Sequence, residues 1–150
     1  MKAFSDNLTK CILAAGALLL GLMGPLLPAA DDKIDFTGHY ELAGKDLDRS
    51  FSWDINQTDS QAKIAFSASM LDGSGAAPDG EGSGSVDKSG QLKFTFKDSF
   101  DNEGTGVLVS KKDGYHLTMT VTKVGDSRPL RFYGDVLLRK TSDKVRPDSV

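Results

Sequence analysis

The chain has 150 residues, with 18 Lys and Arg against 21 Asp and Glu and a formal net charge of −3. That mild acidity argues against a nucleic-acid partner, which would need a basic face. The one cysteine, Cys11, lies near the N-terminus, so the remaining chain has no disulfide, thiolate nucleophile or thiol metal ligand.

Residues 1–30 differ from all that follows. Lys2 and Lys10 make a positive start, residues 11–23 carry no charged side chain, and Gly24, Pro25 and Pro28 precede the small pair Ala29–Ala30. Positive, then apolar, then small is the order of a secretory signal peptide, so export to a periplasm or out of the cell is expected. The uncharged stretch 11–30 also has bilayer length. Its prolines and glycines, with Asp31 and Asp32 directly behind, favour cleavage over a retained anchor. Lys10 before Cys11 is wrong for lipoprotein processing. Cleavage removes Lys2, Lys10 and Asp6, which takes the charge from −3 to −4. One domain, residues 31–140, is expected, with a flexible polar tail at 141–150 that contains Pro147.

Within that domain the dominant signal is period-two alternation, the mark of strands with one buried face. Taken in order, Phe36, Gly38, Tyr40 and Leu42 alternate with polar residues, then Phe51, Trp53 and Ile55, then Ala62, Ile64, Phe66, Ala68 and Met70. A glycine-rich strand at 80–87 follows, then Leu92, Phe94 and Phe96, then a strand at 104–110. Tyr115, Leu117, Met119 and Val121 alternate next. The last strand is read over 130–139, with Leu130, Phe132, Gly134, Val136 and Leu138 on one side and Arg131, Tyr133, Asp135, Leu137 and Arg139 on the other. Turn chemistry at 58–60, 87–90, 111–114 and 125–127 separates the strands. No mature segment carries a sustained 3.6-residue stripe, so no long helix is expected.

Short links between sequential strands make neighbours antiparallel, and eight strands with one apolar face close into a barrel or fold as a sandwich. Closure removes exposed edges. The expected fold is therefore all-β, an eight-stranded antiparallel up-and-down barrel. Side chains can fill such an interior, or it can hold one small ligand.

The opening Phe36-Thr37-Gly38-His39-Tyr40 resembles the Gly-x-Trp start of lipocalin and avidin-type (calycin) barrels, with Tyr in the place of Trp. The closing Val136-Leu137-Leu138-Arg139 is similar to their last strand. The resemblance covers the two ends and the strand count. It implies a lipocalin-like barrel closed by a cation–π pair, Tyr40 with Arg139. The sequence shows neither the helix that precedes the last lipocalin strand nor the tryptophan set of avidins, so biotin binding is not implied.

The candidate ligand-binding residues are the inward aromatics Phe51, Trp53, Phe66, Phe94, Phe96, Tyr115 and Phe132. They either fill the core or line a cavity for a small apolar ligand. Gly80, Gly82 and Gly84 put bare backbone on one strand face, the mark of a tightly curved strand or of close approach by another backbone or a ligand. Asp98, Asp101 and Glu103 form an acidic turn around Phe100, at a rim. His39 and His116 fall on outward faces. No metal-ligand spacing, nucleophile elbow or phosphate loop is present, so no metal, cofactor or catalytic residue is expected. Two main readings result. One is a non-enzymatic carrier of a small apolar ligand. The other is a protein–protein interaction module, such as an exported enzyme inhibitor, acting through rim loops. Neither requires membrane insertion after signal cleavage.

Overall fold

The computed structural model describes residues 34–44 and 47–147; the expected signal, residues 1–30, and residues 148–150 of the tail lie outside the described residues. Eight strands form: β1 (Gly38–Leu42), β2 (Arg49–Thr58), β3 (Gln61–Met70), β4 (Asp79–Val86), β5 (Gln91–Asp98), β6 (Glu103–Lys111), β7 (Gly114–Lys123) and β8 (Asp135–Ser142). They pair in chain order, every pair antiparallel, and β8 returns to β1 to close the barrel.

Alternation explains why these segments are strands. Buried Phe51, Trp53 and Ile55 of β2 face buried Ile64, Phe66 and Ala68 of β3, in a ten-pair register from Arg49↔Met70 to Thr58↔Gln61. The β2–β3 link is the two-residue turn Asp59-Ser60, with Asp59 at φ 57°, a left-handed position that Asp tolerates. At the β4–β5 turn the Asp87 carboxylate accepts bonds from Ser89 N–H (2.9 Å), Ser89 Oγ (2.6 Å) and Gln91 N–H (3.1 Å). Such an Asx turn fixes the hairpin register.

The inward glycines are where the rings go. Phe96 lies between Gly82 on β4 and Gly104 on β6, and Phe94 lies between Gly84 and Gly106. A Cβ at Gly104 would stand 2.6 Å from Phe96 Cε1, one at Gly106 2.6 Å from Phe94 Cε2, and one at Gly80 2.5 Å from Phe66 Cε1. The close approach read from the glycine pattern is made by the chain's own phenylalanines.

The two ends close differently. Phe36 lies before β1, fully buried, with its N–H on Gln57 Oε1 at 2.9 Å and its carbonyl accepting from the Tyr40 hydroxyl. At the other end the expected eighth strand does not begin at Leu130. Residues Arg128–Phe132 instead form a 3-10 helix, with Pro129 in its first turn. Pro129 fixes φ and lacks the N–H that a ladder needs, and the i, i+3 spacing of the helix buries Pro129 and Phe132 on one face. Gly134, at φ 122°, then resets the chain for β8.

The tail also departs from expectation. Thr141 and Ser142 belong to β8, and Arg146 reaches back to β2, where its Nε donates to Asp54 Oδ2 at 2.8 Å. The last strand thus runs past the expected domain boundary at 140, and Arg146 of the expected tail meets a buried carboxylate.

Candidate functional site: barrel interior and mouth

The structure divides the expected aromatic set. Phe51, Trp53, Phe66, Phe94 and Phe96 form one linked cluster: Trp53 stacks on Phe66 at 4.9 Å and meets Phe51 at 5.6 Å and Phe94 at 5.5 Å. Phe66 continues to Phe96 at 5.8 Å. These distances are those of rings in direct contact. All five side chains are buried, none above 5 % exposed. Tyr115 lies apart, half-buried, against Tyr40 (4.9 Å) and Phe36 (6.3 Å). Phe132 arrives from the 3-10 helix, with the Arg131 guanidinium 5.4 Å from its ring centre.

One interior polar atom stands out. Trp53 Nε1 is buried and has no hydrogen-bond partner among the described residues. Burial raises the Tyr40 phenol well above its ordinary range, with Tyr115 adding to the shift.

The Tyr40–Arg139 pair is replaced by Tyr40 and Lys140. Lys140 Nζ sits 5.9 Å from the Tyr40 ring centre, while Arg139 points outward, 64 % exposed and 3.9 Å from Glu41. The reason is strand parity: Leu138 points inward, so Arg139 cannot, and Lys140 does.

Sequence reasoning did not find Tyr133, which its strand phase places outside. Tyr133 lies 5.3 Å from Phe96 and 6.3 Å from Phe66, and its hydroxyl donates to Asp98 Oδ2. Desolvation first, and then that bond to Asp98, push its phenol well above the ordinary value. Asp98 is buried and also accepts from Phe100 N–H, Asn102 N–H and Asn102 Nδ2, each at 2.8 Å. The acidic turn is therefore internally satisfied: Asp101 pairs with Lys97 at 2.9 Å and Glu103 with Lys123 at 2.7 Å.

Up-and-down order brings the connections β1–β2, β3–β4, β5–β6 and β7–β8 to one end, the mouth. Hydrogen bonds tie them to each other. Leu71 N–H donates to Asp48 O (2.9 Å), Ser99 N–H to Asp79 O (2.7 Å) and Gly125 N–H to Asn102 Oδ1 (2.9 Å). Arg49 Nη1 donates to Arg131 O at 2.7 Å. On this tied rim Leu47, Leu71 and Val124 are 37, 65 and 55 % exposed. Phe100 lies partly exposed beneath Arg128, whose guanidinium carbon is 5.3 Å from the ring centre.

The outer wall is mixed. Over β6–β8 a groove of about 440 Å³ is lined by Val107, Val109, Lys111, His116, Thr118 and Leu137, among others, and over β3–β6 the wall is mainly polar. A groove of about 740 Å³ there is lined by Lys63, Glu81, Ser83, Thr95, Lys97 and Thr105, among others. Among the described residues no group of three or more His, Cys, Asp or Glu is placed to hold a metal ion. No family model, curated protein or solved structure matches the chain.

Proposed function

We propose that this chain is an exported, non-enzymatic interaction module of calycin-like architecture that grips a protein partner with its mouth loops. The observation that carries the reading is the tied rim, which leaves Leu47, Leu71 and Val124 in water. Hydrogen bonds between loops lower the entropy lost on binding, and exposed aliphatic side chains on a fixed platform supply anchors. The linked rings of Phe51, Trp53, Phe66, Phe94 and Phe96 support the same choice, because side chains packed on each other inside favour binding at the outer surfaces. Charged side chains on the outer wall, with an apolar interior, are the inverse of a barrel built for lipid. Photo-crosslinking residues introduced at Leu71, at Val124 and, as a wall control, at Val109 test the reading in the exporting host. Discrete protein adducts at the two mouth positions are expected, with none at Val109. Adducts equal at all three positions, or absent at the mouth, overturn it.

One observation favours the carrier instead. The Trp53 Nε1 donor is buried among rings with no acceptor among the described residues, and an apolar ligand bearing a carbonyl or ether oxygen would satisfy it. Trp53 is the single tryptophan of the chain, so its emission reports on that spot alone. A saturable spectral change with fatty acids or retinoid-like compounds supports the carrier, and no change across an apolar panel counts against it.

A further inference from the structure

Asp54 breaks the pattern of the outer wall. Its neighbours Trp53 and Ile55 point into the barrel, so alternation turns Asp54 outward, yet it is 0 % exposed. A carboxylate removed from water needs charged or polar partners in its place. Arg146 supplies two of them: its backbone N–H donates to Oδ1 at 3.0 Å and its Nε to Oδ2 at 2.8 Å. His39, directly opposite Asp54 on β1, brings Nδ1 to 3.0 Å from Oδ1, and its Nε2 stands 3.7 Å from Glu41.

We propose that Asp54 and His39 form an arginine-binding notch on the outer wall, and that Arg146 is its resident, releasable ligand. The notch is shut in cis and takes an arginine residue of another protein chain when the C-terminal strap lifts. This site is separate from the mouth and does not depend on the reading given to it.

Two features make the strap releasable. Residues 143, 144, 146 and 147 are exposed and only Val145 is half-buried, so the strap shields little apolar surface. The Arg146 side chain is itself 48 % exposed above the buried carboxylate. Segments with few buried apolar contacts open at low free energy, well before the domain unfolds. The geometry also selects the ligand. One arginine meets both carboxylate oxygens, with its own backbone N–H on one and Nε on the other. Lysine has no donor at the ε-branch position, and a residue without a backbone N–H loses the first bond.

The test uses the full chain carrying Arg146→Ala and, as probe, N-acetyl-arginine N-methylamide, with the His39 ring resonances as readout. In Arg146→Ala the probe is expected to shift those resonances saturably. In the wild type, where the tethered arginine competes, binding is expected to be weaker by roughly ten-fold or more. The lysine counterpart of the probe, and Asp54→Asn combined with Arg146→Ala, are expected to give no saturable shift. Equal responses from Arg146→Ala and the double variant overturn the notch. A second measurement needs no variant: the Arg146 amide of the wild type is expected to exchange at least roughly ten-fold faster than the Trp53 amide. Exchange as slow as that of β2 overturns the releasable strap.

Discussion

Replacing Gly106 by alanine tests whether the barrel interior is full. A Cβ at this position would stand 2.6 Å from Phe94 Cε2 and nearer still to Cζ, so the ring must tilt away. A tilt toward Trp53 meets a ring whose centre is 5.5 Å off and which is stacked on Phe66 at 4.9 Å. Phe66 in turn covers Gly80. Overpacking of this kind costs about 1–3 kcal/mol, and loss of a glycine from the unfolded chain offsets about 0.4–1 kcal/mol. The net expectation is a destabilisation of about 1–2 kcal/mol, which for a domain of this size lowers Tm by roughly 4–10 °C. Gly84→Ala is the control. Its Cβ meets the backbone, with Phe94 Cα at 2.6 Å and the Lys93 carbonyl nearer, so no side-chain movement relieves it and its cost is larger. Phe94→Leu in the Gly106→Ala background should restore part of the loss. Urea unfolding followed by Trp53 emission measures all three. If Gly106→Ala stays within about 0.5 kcal/mol of wild type while Gly84→Ala does not, Phe94 has somewhere to go. The interior then holds free volume, and the carrier reading overtakes the interaction module.

Tyr133→Phe removes a donor from the buried Asp98 carboxylate and should cost about 1.5–3 kcal/mol, with faster amide exchange at Phe100 and Asn102; unchanged stability and exchange refute the role given to the Tyr133–Asp98 bond. Lys140→Ala should cost about 0.5–1 kcal/mol through the lost cation–π contact, while Arg139→Ala stays within about 0.5 kcal/mol of wild type; the reverse order in urea unfolding would reinstate Arg139 as the partner of Tyr40. Hydrogen bonds from Ser89 first, then from Lys93 and Gln91, hold the Asp87 carboxyl far below its ordinary value. Its stabilisation is therefore fully present above the unfolded carboxylate pKa of about 3.9, and it is lost as pH falls through the lower folded value. The gap in Tm between wild type and Asp87→Asn should accordingly narrow in strongly acid solution, and a gap constant from neutral pH to acid refutes the role given to Asp87.

The barrel was legible because its inward side chains are mostly apolar: Phe51, Trp53 and Ile55 on β2, Ala62, Ile64, Phe66, Ala68 and Met70 on β3, Leu92, Phe94 and Phe96 on β5, and Tyr115, Leu117, Met119 and Val121 on β7, and a pattern of period two has few other physical causes. The errors lie where that pattern runs through a break without changing parity. Phe132 shares even numbering with Val136 and Leu138, so the alternation reads straight across Pro129 although the chain turns there. Tyr133 was hidden by the same false continuity. Arg139 is a different case. Its own strand parity places it outside, and the resemblance to calycin barrels set that parity aside; the local rule wins, because Leu138 is buried and its neighbour must face water. Whether the aromatics leave a cavity was not legible at all. That depends on which residue stands across from each ring, and only the register sets Gly106 opposite Phe94 and Gly104 opposite Phe96. The cover over Asp54 was equally invisible, since its partner lies 92 positions away along the chain.

The asymmetry of the two barrel ends supports the proposed placing of the contact surface at the mouth. The opposite end is closed by short turns, among them Asp59-Ser60 and Lys112-Asp113, and by Phe36, which is fully buried. Links that short have backbone to place and little side chain to offer. Three of the four mouth links, 43–48, 71–78 and 124–134, are longer and could have folded their apolar residues inward, as the 3-10 helix does with Phe132 and the β3–β4 connection does with Ala76. Single exposed aliphatic residues need no explanation. Yet three of the four large hydrophobics exposed among the described residues, Leu47, Leu71 and Val124, sit on three separate links at this one end. The Leu71 N–H is tied to Asp48 O, which fixes the backbone at that position while its side chain stays 65 % exposed. A backbone held in place beneath an unburied leucine is what a preformed contact surface requires, and relaxation of the free domain alone gives no reason for it.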